Sequence, residues 1–414
     1  MSNFSTHVLK IPDFRRLLFT RMCGLMALQA QAVIVGWQIY SLTHDPFMLG
    51  LTGLVEAVPA IACALFAGHV VDVGRPHRIY LICLSALALN TLMLFLLAGG
   101  ILHAADQTVI PWIFGGIFIS GVARAFIMPA SFSLLPQIVT RADIPAASAW
   151  LSSGFQFAAI MGPAIAGIIY GSYGNTIGWA MPMVLMSIAV AMVASMSAPT
   201  RAFRSHASRE PAMQSITAGW RFIWQNQVLL SVMALDMFAV LFGGVVAILP
   251  AYVDQVLQTG SEGLGALRAA PAIGAIAMAL YLALKPMQKI HAVHLLWVIT
   301  GFGLCMLGFG LTTHFWVAMV MLAASGAFDS VSMVIRSTLM QLLIPEDMRG
   351  RVSSVNSMFI ISSNEIGAFR AGTGAAWLGL VPSILMGGVG TLLVVGITAW
   401  RAPRLRKLVV DVAK

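Results

Sequence analysis

The sequence predicts an all-α integral membrane protein with twelve transmembrane helices, arranged as two related bundles of six. Three observations predict this class: the composition, a one-sided distribution of basic residues and an internal repeat. Of the 414 residues, 59% are hydrophobic and 9% are charged, whereas about 25% are charged in an ordinary soluble domain. A soluble fold could not bury so much apolar surface, so we expect the chain to lie in a bilayer.

Apolar stretches long enough to cross a membrane recur from end to end. A bilayer core of about 30 Å needs about 20 residues of helix. We place twelve spans, numbered in chain order, at residues 17–42, 47–71, 79–102, 109–138, 145–171, 176–198, 226–253, 260–284, 292–312, 315–344, 350–377 and 381–400. The first stretch resembles a signal peptide, but its apolar run is too long and contains Gln29, Gln31 and Gln38, so we interpret it as span 1.

Of the 24 Lys and Arg residues, 19 fall in segments on one side of this topology and none in segments on the other side. They are Lys10, Arg15, Arg16, Arg75, Arg78, Arg141, Arg201, Arg204, Arg209, Arg221, Lys285, Lys289, Arg349, Arg351, Arg401, Arg404, Arg406, Lys407 and Lys414. Cytoplasmic connections are enriched in such residues, which predicts a multi-pass protein of the plasma (inner) membrane with both termini in the cytoplasm. The formal charge of +9 then reflects topology and not nucleic acid binding, since no groove-sized basic patch is present.

The second half of the chain repeats the first. Gly53, Glu56 and Pro59 align with Gly265, Arg268 and Pro271, and Ser120 and Gly121 align with Ser325 and Gly326. A duplicated unit of six spans, with both copies in the same orientation, accounts for this pattern. We therefore predict an N-terminal bundle at 1–198, a cytoplasmic linker with an amphipathic segment at 199–225, and a C-terminal bundle at 226–414.

Charged residues also lie well inside the spans. They are Glu56, Arg124, Asp236, Arg268, Asp329, Arg336, Glu365 and Arg370. Each would cost about 2.5 to 3.5 kcal/mol at the centre of a lone inserted helix, so we expect them to face the protein interior or a wet cavity. Spans 3, 6, 9 and 12 contain none of them, which predicts eight inner helices around a polar cavity and four outer helices.

Three short patterns carry a resemblance to a known family. They are Gly68, Asp72, Gly74, Arg75 and Arg78 at the end of span 2 and in the turn after it; Gly162, Pro163 and Gly167 in span 5; and Arg349 and Arg351 at the start of span 11. With the repeat and the twelve spans, they resemble the major facilitator superfamily, and in particular its branch of enterobactin exporters and macrolide efflux proteins. The resemblance implies a monomeric transporter, an antiporter motif in span 5 and a gating motif in which Asp72 meets the positive N-terminus of span 11.

The resemblance and the embedded charges together predict a secondary active transporter. We expect a proton-coupled exporter, an antiporter that moves a mid-sized amphipathic drug or siderophore by rocker-switch alternating access. The proton gradient would be its energy source, with no cofactor and no enzymatic activity, since nucleotide and nucleophile motifs are missing from the sequence. Two alternatives remain open: an importer or facilitator of a nutrient or lysolipid, and a membrane receptor or scaffold that does not transport.

Buried carboxyl groups are the candidates for proton coupling, because such groups can take up and release a proton near neutral pH. Glu56 is the first candidate, supported by Asp329, Asp236 and the base Arg124. The alternative for Glu56 is a structural ion pair with an arginine. Asp329 and Arg336 are seven residues apart, so both can lie on one helix face.

Other polar side chains in the spans could line a substrate cavity, although helix packing is the alternative for each. These candidates are Arg268, Arg336, Glu365, Arg370, Gln29, Gln31, Trp37, Gln156 and Asn356. Arg370 could attract an anionic substrate or pair with Glu365. We predict no metal site, because His291 and His294 lack nearby Cys or carboxylate ligands. The expected partners are a small-molecule substrate and the lipid bilayer.

Overall fold

Helices form nearly all of the chain. A computed structural model describes residues 7–98, 106–140, 143–197, 212–285, 289–345 and 348–411. The long helices are Pro12–Thr43, Pro46–Val73, Pro76–Ala98, Asp106–Ile138, Ile144–Ala194, Ala212–Gln225, Gln227–Gly243, Gly260–Leu284, Val293–Leu311, Phe315–Leu343, Arg349–Leu378 and Leu380–Arg401. Except for span 7, whose α-helix ends at Gly243, these bounds match the predicted spans to within a few residues, and Ala212–Gln225 lies in the predicted linker. The prediction of an all-helical membrane fold is confirmed.

Ten of the described helices are long and apolar enough to cross a membrane. One of them, Ile144–Ala194, holds spans 5 and 6 together, because its 51 residues are interrupted at Gly174, whose φ of 77° and ψ of −170° are not helical. A backbone of this kind is open mainly to glycine. The helix of span 11, Arg349–Leu378, is long enough but carries more polar residues, so that its mean hydropathy is lower.

Span 7 is irregular beyond its first part. Its α-helix ends at Gly243 and is followed by short helical turns at Val246–Ile248 and Leu249–Tyr252 and a wider turn at Val253–Leu257. The Tyr252 hydroxyl lies 2.6 Å from the carbonyl oxygen of Phe309 and 2.5 Å from that of Thr312, so the two acceptors share its one proton. The broken part of span 7 is thereby bound to the end of span 9.

The chain divides into two compact units. The first unit is Met1–Leu42 with Val55–Arg209, and the second unit is Thr43–Leu54 with Glu210–Lys414. Residues 43–54, which the prediction assigns to the first bundle, thus group with the second. A close approach explains this grouping: a Cβ at Gly50 would lie 3.0 Å from the Cα of Gly372, so two glycines are needed where the backbones meet. Residues 199–211 of the predicted linker lie outside the described residues.

Each unit has its own apolar core. Buried residues of the first core include Phe14, Leu17, Tyr80, Leu87, Leu134 and Met186. Buried residues of the second core include Val232, Leu235, Leu295, Ile299, Ile335 and Leu339. Each of these cores joins residues from several spans of its own unit.

The repeat is visible in how the helices approach each other. Gly121 of span 4 lies against the carbonyl of Glu56 in span 2, and Gly326 of span 10 lies against the carbonyl of Pro271 in span 8. The two glycines occupy equivalent positions in the two halves. The same close helix pair therefore occurs in each unit, and it carries the charged positions Glu56 and Arg124 in one and Asp329 in the other.

Two short strands were not predicted. Lys289–His291, just before span 9, pairs antiparallel with Val409–Asp411 in the C-terminal tail. The backbone N–H of Ala292 also donates to the carbonyl of Leu408 at 3.0 Å. The tail is thereby attached to the connection between spans 8 and 9.

Candidate functional site

In the first unit, Glu56 and Arg124 form an ion pair between spans 2 and 4. The contact of Gly121 with the Glu56 carbonyl brings the two helices close enough for this pairing. The Glu56 side chain is 24% exposed and that of Arg124 is 50% exposed. One acid and one base balance each other here, which is the structural pair that the sequence left open for Glu56. Its role in proton coupling stays a prediction.

In the second unit, three charged side chains meet: Asp236 of span 7 with Asp329 and Arg336 of span 10. We call them the three-charge cluster. Arg336 pairs with Asp236, and its Nη2 lies 3.9 Å from Oδ1 of Asp329. The side chains of Arg336 and Asp236 are 13% and 11% exposed, whereas that of Asp329 is 48% exposed. The predicted common face of Asp329 and Arg336 is confirmed, and Asp236 is the partner that the sequence did not identify.

A small cavity borders the three-charge cluster. Asp236, Asp329 and Ser332 line it together with apolar side chains that include Phe302 and Phe328. Its volume is about 10 Å³, which is about the room that one water molecule needs. Pockets for small-molecule ligands are typically about 300 to 1,000 Å³. This cavity therefore suits water or a proton and not an organic substrate.

The polar groups around this cavity are not all satisfied. Within the described part of the chain, the Ser332 hydroxyl and Nε of Arg336 are buried without a hydrogen-bond partner. Buried polar groups are usually paired, and exceptions often mark a water or functional site. Sequence reasoning missed Ser332, although it is three residues after Asp329 and four before Arg336, a spacing that places it on the same helix face.

The charge balance differs between the two units. The pair of Glu56 and Arg124 has one charge of each sign, whereas the three-charge cluster has two carboxylates for one guanidinium. An uncompensated charge away from water costs several kcal/mol. A proton bound to one carboxyl group of the three-charge cluster would remove that excess charge.

The guanidinium of Arg370 in span 11 donates hydrogen bonds to two backbone carbonyls of span 7. Its Nε donates to the carbonyl of Leu241 at 3.0 Å and its Nη2 to the carbonyl of Phe242 at 2.8 Å. These carbonyls belong to the last turn of the span 7 helix, which has no following turn to bond them. Arg370 therefore stabilises the break in span 7.

The remaining polar candidates are distributed over several helices. Arg268 and Glu365 are half-buried in spans 8 and 11, and Glu365 lies beside Gly53. Gln31 is buried and accepts a hydrogen bond from the Thr91 hydroxyl at 3.1 Å, which supports its packing role. The other candidates are half-buried in spans 1, 5 and 11: Gln29, Trp37, Gln156 and Asn356. Their substrate roles stay predictions.

The two family-like motifs occupy different environments. Gly162, Pro163 and Gly167 are buried in span 5, and a Cβ at Gly162 would lie 3.0 Å from Cβ of Gln29 in span 1. Arg75 and Arg78 are exposed at the turn between spans 2 and 3, and Arg351 is half-buried at the start of span 11. The remaining gating residues, Gly68, Asp72 and Arg349, lie outside the residues whose side chains the structure describes. The gating role stays a prediction.

Two histidines lie close together just before and at the start of span 9. The rings of His291 and His294 have centroids 5.2 Å apart. No group of three or more His, Cys, Asp or Glu that could hold a metal ion is found among the described residues.

Comparisons with known proteins cover most of the chain. Residues 17–368 match the sequence model of the Major Facilitator Superfamily. The enterobactin exporter EntS of Shigella boydii serotype 4 is 23% identical over 397 residues, which cover 96% of this chain and 92% of that protein. EntS of Escherichia coli O1:K1 is also 23% identical, over 401 residues with the same shares of both chains.

A solved structure supports the same fold. The structure of a bacterial homologue of the human lysosomal transporter Spinster, inward-facing and unoccupied, matches with a TM-score of 0.71 and 14% identity, covering 98% of both chains. At this level of identity the similarity shows the fold and does not indicate a substrate.

Proposed function

Because the chain belongs to the Major Facilitator Superfamily and is thus a multi-pass membrane transporter, we propose that it is a proton-coupled exporter. The proposed reaction is the exchange of a cytoplasmic substrate for protons across the inner membrane. The termini would lie in the cytoplasm, as the one-sided basic residues predict. The observation that carries the coupling is the three-charge cluster, in which two carboxylates share one guanidinium.

Within that cluster, Asp329 is the group we propose to carry the proton. Asp236 is committed to the buried pair with Arg336, with an exposed side-chain fraction of 11%. Asp329 is farther from Arg336, at 3.9 Å, and its side chain is 48% exposed. A carboxyl group that exchanges protons must reach water in at least one state of the transport cycle, and Asp329 has the freer access of the two.

The coupling follows from the change in charge. With Asp329 ionised, the cluster carries one excess negative charge, which favours a state in which water reaches it. With Asp329 protonated, the cluster is neutral and its burial costs less free energy. Proton binding would thereby shift the population between two states of the transporter, as far as the affinities of those states for the proton differ. Rocking of the two bundles would open each state to one side.

The proposed direction of transport and the proposed substrate class are based on similar proteins. Two proteins named enterobactin exporters are similar to this chain over 96% of its length. At 23% identity this supports export and a mid-sized amphipathic cargo, such as a siderophore or a drug. The buried glycine motif of span 5, which resembles that of antiporters, supports the same direction.

Transport into reconstituted vesicles tests this proposal. We would measure uptake of enterobactin into proteoliposomes in which the protein is oriented with its termini outside and the interior is acidic. The wild type should accumulate enterobactin only while the pH gradient lasts. Asp329→Asn should lose at least about tenfold of the gradient-driven uptake, while exchange of enterobactin without a gradient persists.

Glu56→Gln is the matched comparison, because it alters the paired acid of the first unit. We expect this variant to keep most of its gradient-driven uptake. Equal transport by the wild type with and without a gradient would refute proton coupling. Loss of coupling in Glu56→Gln but not in Asp329→Asn would show that the proton site is in the first unit. Uptake that requires an alkaline interior would show that the protein is an importer.

A further inference from the structure

A crevice lies at the end of the second unit that the topology prediction places in the cytoplasm. It is formed where the linker helix, Ala212–Gln225, meets the start of span 7 and the end of span 12. Its volume is about 290 Å³. The residues that line it are Phe222, Gln225, Asn226, Gln227, Val228 and Arg404. None of these residues belongs to the proposed proton site, and the transport mechanism makes no use of them.

Hydrogen bonds hold the walls of this crevice in place. The Asn226 side chain accepts from the backbone N–H groups of Val228, at 3.1 Å, and Leu229, at 3.2 Å. Nε2 of Gln227 donates to the carbonyl of Arg401 at 3.1 Å. The first two bonds cap the start of the span 7 helix, and the third connects that start to the end of span 12, three residues before Arg404.

The charge around the crevice is of one sign. Arg401, Arg404, Arg406 and Lys407 are all exposed. The sequence contains no Asp or Glu at 212–235 or at 381–410, the segments that form the crevice. Among the six lining residues Arg404 is the charged one, and a concave surface that carries positive charge concentrates anions. The crevice is therefore suited to an anionic group.

The surroundings of the crevice place it at the surface of the membrane. Trp220 and Trp224 of the linker helix are 46% and 64% exposed, and Trp400 at the end of span 12 is 75% exposed. Exposed tryptophans at the ends of transmembrane helices are typical of the headgroup region of a bilayer. The anions present at that depth are the phosphates of phospholipids.

We propose that this crevice binds the headgroup of an anionic phospholipid at the cytoplasmic surface. Arg404 would contact the phosphate of that headgroup. Basic recesses between transmembrane helices on the cytoplasmic side recognise lipid headgroups in this way. The crevice lies between the start of span 7 and the end of span 12. A bound lipid would therefore hold these two spans together and stabilise the second unit.

Native mass spectrometry of the purified full-length protein tests the proposal. We would add phosphatidylglycerol or phosphatidylcholine with the same acyl chains and compare wild type, Arg404→Gln, Arg404→Lys and Arg406→Gln. The wild type should bind phosphatidylglycerol in preference to phosphatidylcholine. Arg404→Gln should weaken that binding about fivefold, as one lost basic contact predicts, whereas Arg404→Lys should keep most of it.

Arg406→Gln is the matched control, since it removes the same charge two residues away and outside the crevice. It should bind phosphatidylglycerol as the wild type does. Equal losses in Arg404→Gln and Arg406→Gln, with unchanged melting temperatures, would refute a defined site and leave only general attraction. Equal binding of the two lipids would also refute the proposal. Displacement of phosphatidylglycerol by millimolar inorganic phosphate would identify a site for free phosphate instead.

Discussion

Arg336 and Asp236 form an ion pair inside the second unit, with side chains only 13% and 11% exposed. Breaking a buried pair leaves an uncompensated charge and typically costs about 3 to 5 kcal/mol. In Arg336→Gln, two carboxylates would also remain without a base. We therefore expect this variant to melt well below the wild type when thermal unfolding is followed in detergent at neutral pH.

The first unit offers a control for this prediction. The Glu56 and Arg124 pair is more open, with Arg124 50% exposed, and exposed pairs contribute about 0 to 1 kcal/mol. Arg124→Gln should therefore change the melting temperature much less than Arg336→Gln. The double variant Asp236→Asn with Arg336→Gln should regain part of the lost stability. A smaller effect of Arg336→Gln than of Arg124→Gln would contradict the buried pairing.

Gly326 lies where spans 8 and 10 are in close contact, so a larger side chain there should destabilise the protein. A Cβ at this position would overlap the carbonyl of Pro271, which is backbone and cannot rotate away. Gly326→Ala should therefore cost about 1 to 3 kcal/mol, the usual range for overpacking. Gly396→Ala is the control in the same unit, because a Cβ there meets nothing within 4 Å. Similar melting temperatures for the two variants would show that the contact is not tight.

Replacing Arg370 should loosen the backbone at the break in span 7. In Arg370→Lys, one ammonium replaces the fork that reaches both Leu241 and Phe242, so at least one buried carbonyl loses its donor. We expect a loss of about 1 to 3 kcal/mol and faster amide hydrogen exchange at residues 243–248, measured by mass spectrometry. Arg406→Lys should leave exchange there unchanged. Unaltered exchange in Arg370→Lys would show that the break is held by other contacts.

The spans could be predicted closely because the bilayer imposes one requirement on every residue in them. Long apolar runs and basic connections suffice to place helices such as Pro76–Ala98 and Val293–Leu311. The interruption at Gly174 follows from the same reasoning, since 51 residues of helix would be about 75 Å long. The short strands were missed because three-residue segments more than a hundred residues apart have no periodic signal.

For the candidate site, the sequence could predict which residues share one face of a helix, but not which residues of other helices they contact. The spacing of Asp329 and Arg336 places both on one face, and the same rule would have added Ser332. Which neighbouring helix faces them is a matter of tertiary packing, so Asp236 could not be chosen over the other embedded acids. Arg370 shows a second limit, because its partners are the carbonyls of Leu241 and Phe242, and a backbone acceptor has no signature in the sequence.

The central claim is that the three-charge cluster, through Asp329, takes up the transported proton. Infrared difference spectroscopy of the membrane-embedded protein between acidic and alkaline pH reports directly on protonated carboxyl groups and needs no substrate. The wild type should show a carboxyl band that disappears as the pH rises, and this band should be absent from Asp329→Asn and retained in Glu56→Gln. A band that persists in Asp329→Asn and is lost in Glu56→Gln would contradict the claim.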